Sequence, residues 1–215
     1  MSVDRDRIEA AVSELLAALG DDPAREGLEQ TPRRVAELYA ELFAGVGVDP
    51  ADALRSTFDP SPVSSATATA SDPATATDAR VGGGLPAQPV LLRDIAFRSV
   101  CEHHLLPFEG VAHVAYVPSG RVAGLGSIVA VVESASSRLQ LQERLTDDIA
   151  DALERALDAR GVLVVLDARH GCVTARGPRQ TGSTTVTLSA RGSLAEPAAR
   201  AEVTALLGAT RGLGR

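Results

Sequence analysis

Apolar positions at the start of the chain recur at helical spacing. Ile8, Val12, Leu15, Leu16 and Leu19 share one face of a segment that Gly20 ends, which predicts a helix over 8–19. A second helix is predicted in "QTPRRVAELYAELF", with Thr31 as N-cap and Pro32 at the first helical position. Its apolar stripe is Val35, Leu38, Tyr39, Leu42 and Phe43. The period then vanishes. From Asp59 to Gln88 the chain is Ala, Thr, Ser, Pro and Gly with almost no large apolar side chain. Such a segment cannot bury enough surface to offset its ordering entropy. It reads as a flexible low-complexity insertion, 59–88, between an N-terminal helical region, 1–58, and a main domain, 89–215.

Regular patterning returns beyond it. "PVLLRDIAFRSV" and "VAHVAYVPSG" predict strands, with a turn signal at Pro118-Ser119-Gly120. Ser127–Ser137 and Leu141–Leu157 predict helices. The second repeats Leu141, Leu145, Ile149, Leu153 and Leu157 at steps of four, and Gly161 follows its end. "VLVVLDARHGCVTAR" and "STTVTLSARG" predict two further strands, and Pro197–Leu207 a closing helix. The order ββααββ behind a helical N-terminus predicts an α+β fold, mainly antiparallel.

Composition narrows the function classes. Of 215 residues, 45% are hydrophobic, enough for a core, but only 3% are aromatic and none is Trp, so Val, Leu, Ile and Ala must build it. A net charge of −7 argues against a general nucleic-acid binder, which needs a basic surface to neutralise phosphate. No apolar run reaches the roughly 20 residues that span a bilayer. "MSVDRDRIEAAV" has no signal-type apolar stretch, so a cytoplasmic location is expected. Two cysteines are too few for a disulfide framework in a chain of this length.

The soft ligands are clustered. Of two cysteines and four histidines, Cys101, His103 and His104 fall together in "VCEHHLLPFEG", and His170 and Cys172 in "RHGCVTARG". Thiolate and imidazole are the donors zinc prefers, and three protein ligands plus a water make a catalytic site. Cys-x-x-His sets Cys101 and His104 on one side of a tight loop. His170 and Cys172 would share a face if the strand stays regular. His103 would point away from His104, leaving one ring for metal and the other for acid–base work. Taken singly, a free cysteine is ordinarily a small hydrophobe, and the spacing is not that of a zinc finger. The clustering is what favours metal. His113, mid-strand and alone, reads as structural.

"CEHHLLPFEG", "LQLQERLTDDIADAL" and "RHGCVTARG" resemble, in order and spacing, the signature stretches of GTP cyclohydrolase I, and "TPRRVAELY" is similar to that family's N-terminal helix. The resemblance implies the tunnelling fold, ββααββ subunits joined into a β-barrel, in a homo-oligomer that is a decamer of two pentameric rings. It implies Zn2+ held by Cys101, His104 and Cys172, with His103 and His170 as acid–base groups. It also implies that Gln142 and Glu143 recognise the guanine edge of a guanine nucleotide. A carboxylate there can accept from both N1–H and the 2-amino group. Without the resemblance, Glu143 would read as a solvated acid favoured by a helix N-terminus. The implied reaction opens the imidazole ring of GTP, releases C8 as formate and yields 7,8-dihydroneopterin triphosphate.

The triphosphate positions depart from the family. A Ser-Lys-x-x-Arg stretch is replaced by Gly126, Ser127 and Ala130, and Glu37 stands where a second basic residue often lies on the N-terminal helix. Arg34 and Arg176 are kept. All 21 basic residues are Arg, so composition drift would predict Lys→Arg, not Lys→Ser. A charged phosphate contact is worth roughly 1.5–3 kcal/mol, so losing several weakens GTP binding unless Arg33, Arg138 or Arg179 compensates. Two alternatives therefore stand beside the GTP reaction: ring opening of a less phosphorylated guanine nucleoside or nucleotide, and a non-catalytic regulatory homologue. The nitrile reductases that share the fold need a cysteine nucleophile and a nicotinamide cofactor, for which there is no third cysteine and no glycine-rich fingerprint.

Overall fold

The structure, a computed structural model, describes residues 3–59 and 88–209. The predicted insertion therefore falls, over 60–87, outside the described residues. Helix α1, Arg5–Ala18, starts where the Asp4 carboxylate accepts from Arg7 N at 3.1 Å. Helix α2 spans Thr31–Leu42. Thr31 is its first helical residue rather than its cap, and Gln30 stands at the cap with no side-chain bond. Pro32 fits there because the first turn needs no intrahelical donor. An ion pair of 2.6 Å from Glu41 to Arg98 ties α2 to the sheet.

The sheet has five strands in the order β5-β2-β3-β6-β7. They are β2 (Val90–Cys101), β3 (Pro107–Val117), β5 (Leu139–Gln140), β6 (Gly161–His170) and β7 (Thr185–Gly192). The four long strands pair antiparallel, whereas β5 lies parallel to β2. A separate ribbon joins β1 (Thr57–Phe58) to β4 (Val122–Ala123), pinned where Ala123 N donates to the buried Tyr116 hydroxyl at 2.9 Å. These two-residue strands carry no periodicity, which is why the sequence pattern gives no sign of them.

Helices α3 (Leu125–Ser136) and α4 (Gln142–Leu157) cover one face of the sheet. Leu145, Ile149 and Leu153 of α4 and Ile128 and Val131 of α3 bury against Phe108, Val114, Tyr116, Val162, Val164 and Leu166. On the opposite face, Ala115, Val117, Leu163 and Val165 are met by Leu194 and by Val203 of α6 (Pro197–Ala209). At Gly110 a Cβ would lie 2.0 Å from the Asp167 carbonyl, so only glycine lets β3 and β6 approach so closely.

Two boundaries differ from expectation and shape the site. Strand β3 begins at Pro107, not Val111, so "PFEG" is strand and Phe108 pairs in register with His170. Strand β6 ends at His170, and Gly171–Thr174 forms a helical turn, α5. Strand alternation therefore does not relate His170 to Cys172.

Candidate functional site

Cys101 is the last residue of β2, and the chain turns at once. Cys101 N donates to Leu106 O and Leu105 N to Cys101 O, both at 2.9 Å, and Leu105 takes a positive φ of 55° to close the loop. Glu102 N donates to Gln140 O at 3.1 Å, anchoring the loop to β5. The Glu102 carboxylate pairs with Arg144 of α4, whose Nε also donates to Gln140 Oε1 at 3.1 Å. Thus a loop of four polar or ligating residues hangs from a strand end and is held by a helix.

The second segment is brought against it by β3–β6 pairing. His170 stacks on Phe108 with centroids 4.8 Å apart and rings 2° from parallel. At Gly171 a Cβ would meet Pro107 O at 2.9 Å, so glycine lets the α5 turn seat against the Cys101 loop. Among the described residues, Cys101, His170 and Cys172 bring one ligand atom each within 4.8 Å of one another. Both cysteines are free; Cys101 is buried and Cys172 half-buried. Two sulfurs bound tetrahedrally to zinc sit about 3.8 Å apart, from Zn–S bonds of about 2.3 Å. The trio is thus near closure, and its soft donor set fits zinc.

His104 is outside this trio. Its Nε2 contacts the Arg176 guanidinium, which can only donate, so Nε2 is the acceptor. His103 is exposed on the loop, its ring 6.4 Å from that of His104 and nearly perpendicular to it. Burial holds the His170 imidazole below its ordinary value, and the negative charge of Glu143 pulls the other way. Glu143 itself is exposed in the first turn of α4. Its neighbour Gln142 is 2% exposed, with its amide engaged inside the protein. His113 Nδ1 accepts from Asp94 N at 3.2 Å within the sheet, away from this cluster.

The sequence profile described as GTP cyclohydrolase I matches residues 8–208. The chain belongs to the GTP cyclohydrolase I family. Its relatives include a protein named GTP cyclohydrolase 1 from Leifsonia xyli subsp. xyli, 56% identical over 95% of this chain and 96% of that one. Another of the same name, from Carboxydothermus hydrogenoformans, is 46% identical over 96% of each. A solved archaeosine synthase QueF-Like structure aligns with 50% of this chain and 96% of its own at 21% identity and TM-score 0.42.

The positions that the sequence reading expects at the phosphate site have structural employment. Ser127 is buried and its Oγ accepts from Ser56 N at 3.1 Å. Glu37 is paired with Arg33 at 3.0 Å, which occupies both charges. Arg138 donates to Val48 O at 3.0 Å and Ser134 O at 3.2 Å, so it serves the fold. Arg34 lies exposed on α2, and Arg179 is exposed with a positive φ of 52°. Sequence reasoning missed Phe108, Gly171, Thr146 and Thr187 as parts of the site. Phe108, Gly171 and Thr146 had a visible signal, their places inside "CEHHLLPFEG", "RHGCVTARG" and "LQLQERLTDDIADAL"; Thr187 had none.

Proposed function

We propose that this chain is a GTP cyclohydrolase I: it hydrolytically opens the imidazole ring of GTP, releases C8 as formate and forms 7,8-dihydroneopterin triphosphate. The observation that carries the reading is the convergence of Cys101, Cys172 and His170, from segments far apart in sequence, beside the Glu143 carboxylate. Glu143 accepts from guanine N1–H and the 2-amino group, which orients the purine. His170, held by stacking and a partly buried hydrogen bond, and His103, exposed on the loop, move protons at N7 and the ribose. Arg176, Arg179 and Arg34 supply the donors for phosphate.

Cys101, His104 and Cys172 would hold Zn2+, which when bound supplies Lewis-acid activation of water near neutral pH. Distance favours a second set, Cys101, His170 and Cys172. Zinc content of His104→Ala and His170→Ala separates the two: the variant that loses metal names the ligand. The family's tunnelling fold, and a homo-oligomer of two pentameric rings, belong to the same proposal. Their support is the outer edge of β7, which pairs with no further strand among the described residues; closing a barrel removes such an edge. A cytoplasmic place goes with the two free thiols. Among the described residues no helix is long and apolar enough to cross a membrane.

A second reading, ring opening of GMP or guanosine, is favoured by the employment of Ser127 and the Glu37–Arg33 pair in the fold. The test is kcat/KM for GTP, GMP and guanosine on zinc-loaded protein. The proposal expects GTP to lead. A lead for GMP or guanosine gives the second reading, and no turnover of any of them sinks both.

A further inference from the structure

Gln142 opens α4 yet its side chain is buried. Its Nε2 lies 2.8 Å from Thr185 O, 3.3 Å from Leu166 O and 3.1 Å from Thr187 Oγ1. The two carbonyls can only accept. Thr187 has no donor to offer either. Its Oγ1 is 2.7 Å from Thr146 Oγ1, and the Thr146 hydroxyl gives its own proton to Gln142 O at 2.7 Å. Thr187 therefore donates to Thr146 and presents lone pairs to Gln142. The hydrogen bonds form a closed ring: Gln142 side chain to Thr187, Thr187 to Thr146, Thr146 back to the Gln142 backbone.

This ring fixes which end of the amide is nitrogen. A flipped amide would set its oxygen against three acceptors. Oε1 must then be the atom 2.7 Å from His170 Nε2. An amide oxygen only accepts, so Nε2 must carry the proton. We infer that Gln142 is a positioning residue, not a reader of the base, and that it locks His170 in the Nε2–H tautomer with Nδ1 as the ring's lone pair. Stacking on Phe108 holds the ring plane. Any proton that His170 accepts, or any metal it binds, arrives at Nδ1. Recognition of the guanine edge by this side-chain pair falls to Glu143. The kinetic consequence rests on the acid–base role proposed above; the tautomer does not.

The test is a nitrogen-15 spectrum of histidine-labelled, zinc-loaded wild-type protein at about pH 8, where an ordinary imidazole is neutral. His170→Ala assigns the signal. The expected result is a neutral His170 ring protonated at Nε2. A ring protonated at Nδ1 instead overturns the inference, and needs no variant of Gln142 to be folded. In Gln142→Leu the His170 signal should become a tautomer mixture. Its kcat should fall about 10–100-fold, the usual cost of removing a group that orients such a histidine, with KM for GTP nearly unchanged. A rise in KM with kcat and the ring spectrum unaltered would overturn the positioning role and make Gln142 a base reader. A wild-type Nε2–H signal in a protein inert towards GTP would keep the tautomer and remove the proposed function.

Discussion

Gly171 separates the two halves of the ligand cluster by the width of a missing methyl group, and Gly171→Ala tests how closely they must sit. The new Cβ would lie 2.9 Å from Pro107 O and 3.3 Å from Leu106 Cβ, whereas ordinary contact begins at 3.4 Å. The shortfall is 0.5 Å against a carbonyl in a paired strand. Neither Leu106 nor Pro107 gives way easily, because Leu106 O accepts from Cys101 N and Pro107 is in register with Val100. The α5 turn must move, carrying Cys172 away from Cys101. Metal–ligand distances tolerate only about 0.2 Å, so zinc affinity should drop by about 10–100-fold, the scale at which displaced supporting groups act. Fold stability should change by a comparable amount or less. Alanine narrows the unfolded ensemble by about 0.4–1 kcal/mol, and local overpacking costs about 1–3 kcal/mol. The assay is competition with a chromophoric chelator, alongside thermal melts of the metal-free protein. Wild-type zinc affinity in a folded Gly171→Ala protein would refute the reasoning.

Other perturbations have equally definite outcomes. Glu143→Gln should lower kcat/KM for GTP by about 10–100-fold, since charged hydrogen bonds are worth about 1.5–3 kcal/mol, with zinc content unchanged; equal kcat/KM would remove Glu143 from base recognition. Asp147 is held below the usual carboxylate range by the Ser189 hydroxyl and then by Arg191, against the opposing effect of burial. A depressed carboxylate stabilises fully above its unfolded value of 3.8 and loses that contribution as pH falls through the folded value. Asp147→Asn should therefore destabilise at neutral pH by urea titration, and the gap from wild type should close below that value; a constant gap would contradict the linkage. Chelation followed by air oxidation should consume both free thiols within one chain, because Cys101 and Cys172 already sit together; mass spectrometry that finds only intermolecular disulfides would contradict this.

How far the sequence reaches depends on the range of the force that decides each feature. The α4 stripe of Leu145, Ile149, Leu153 and Leu157 is local periodicity, and the helix follows it from Gln142 to Leu157. The clustering of Cys101, His103, His104, His170 and Cys172 was visible because soft ligands are so rare in this chain. Their exact spatial grouping was not. It depends on where β6 stops, and that stop is set by the Thr174 hydroxyl bonding His170 O and by the close approach at Gly171. The burial of Gln142 was equally hidden, since its partners Leu166, Thr185 and Thr187 come from strands distant in sequence. Ser127 reads in sequence as a lost phosphate ligand; in the fold it receives a backbone donor from Ser56 across 71 residues.

The most direct test of the central claim is the simultaneous measurement of formate and dihydropterin formation from GTP by the zinc-loaded protein. Ring opening with loss of C8 predicts that the two rise together in equal amounts, that both fall together in Glu143→Gln, and that both disappear in His170→Ala and Cys172→Ser. Zinc-loaded, folded protein that releases neither product would contradict the account.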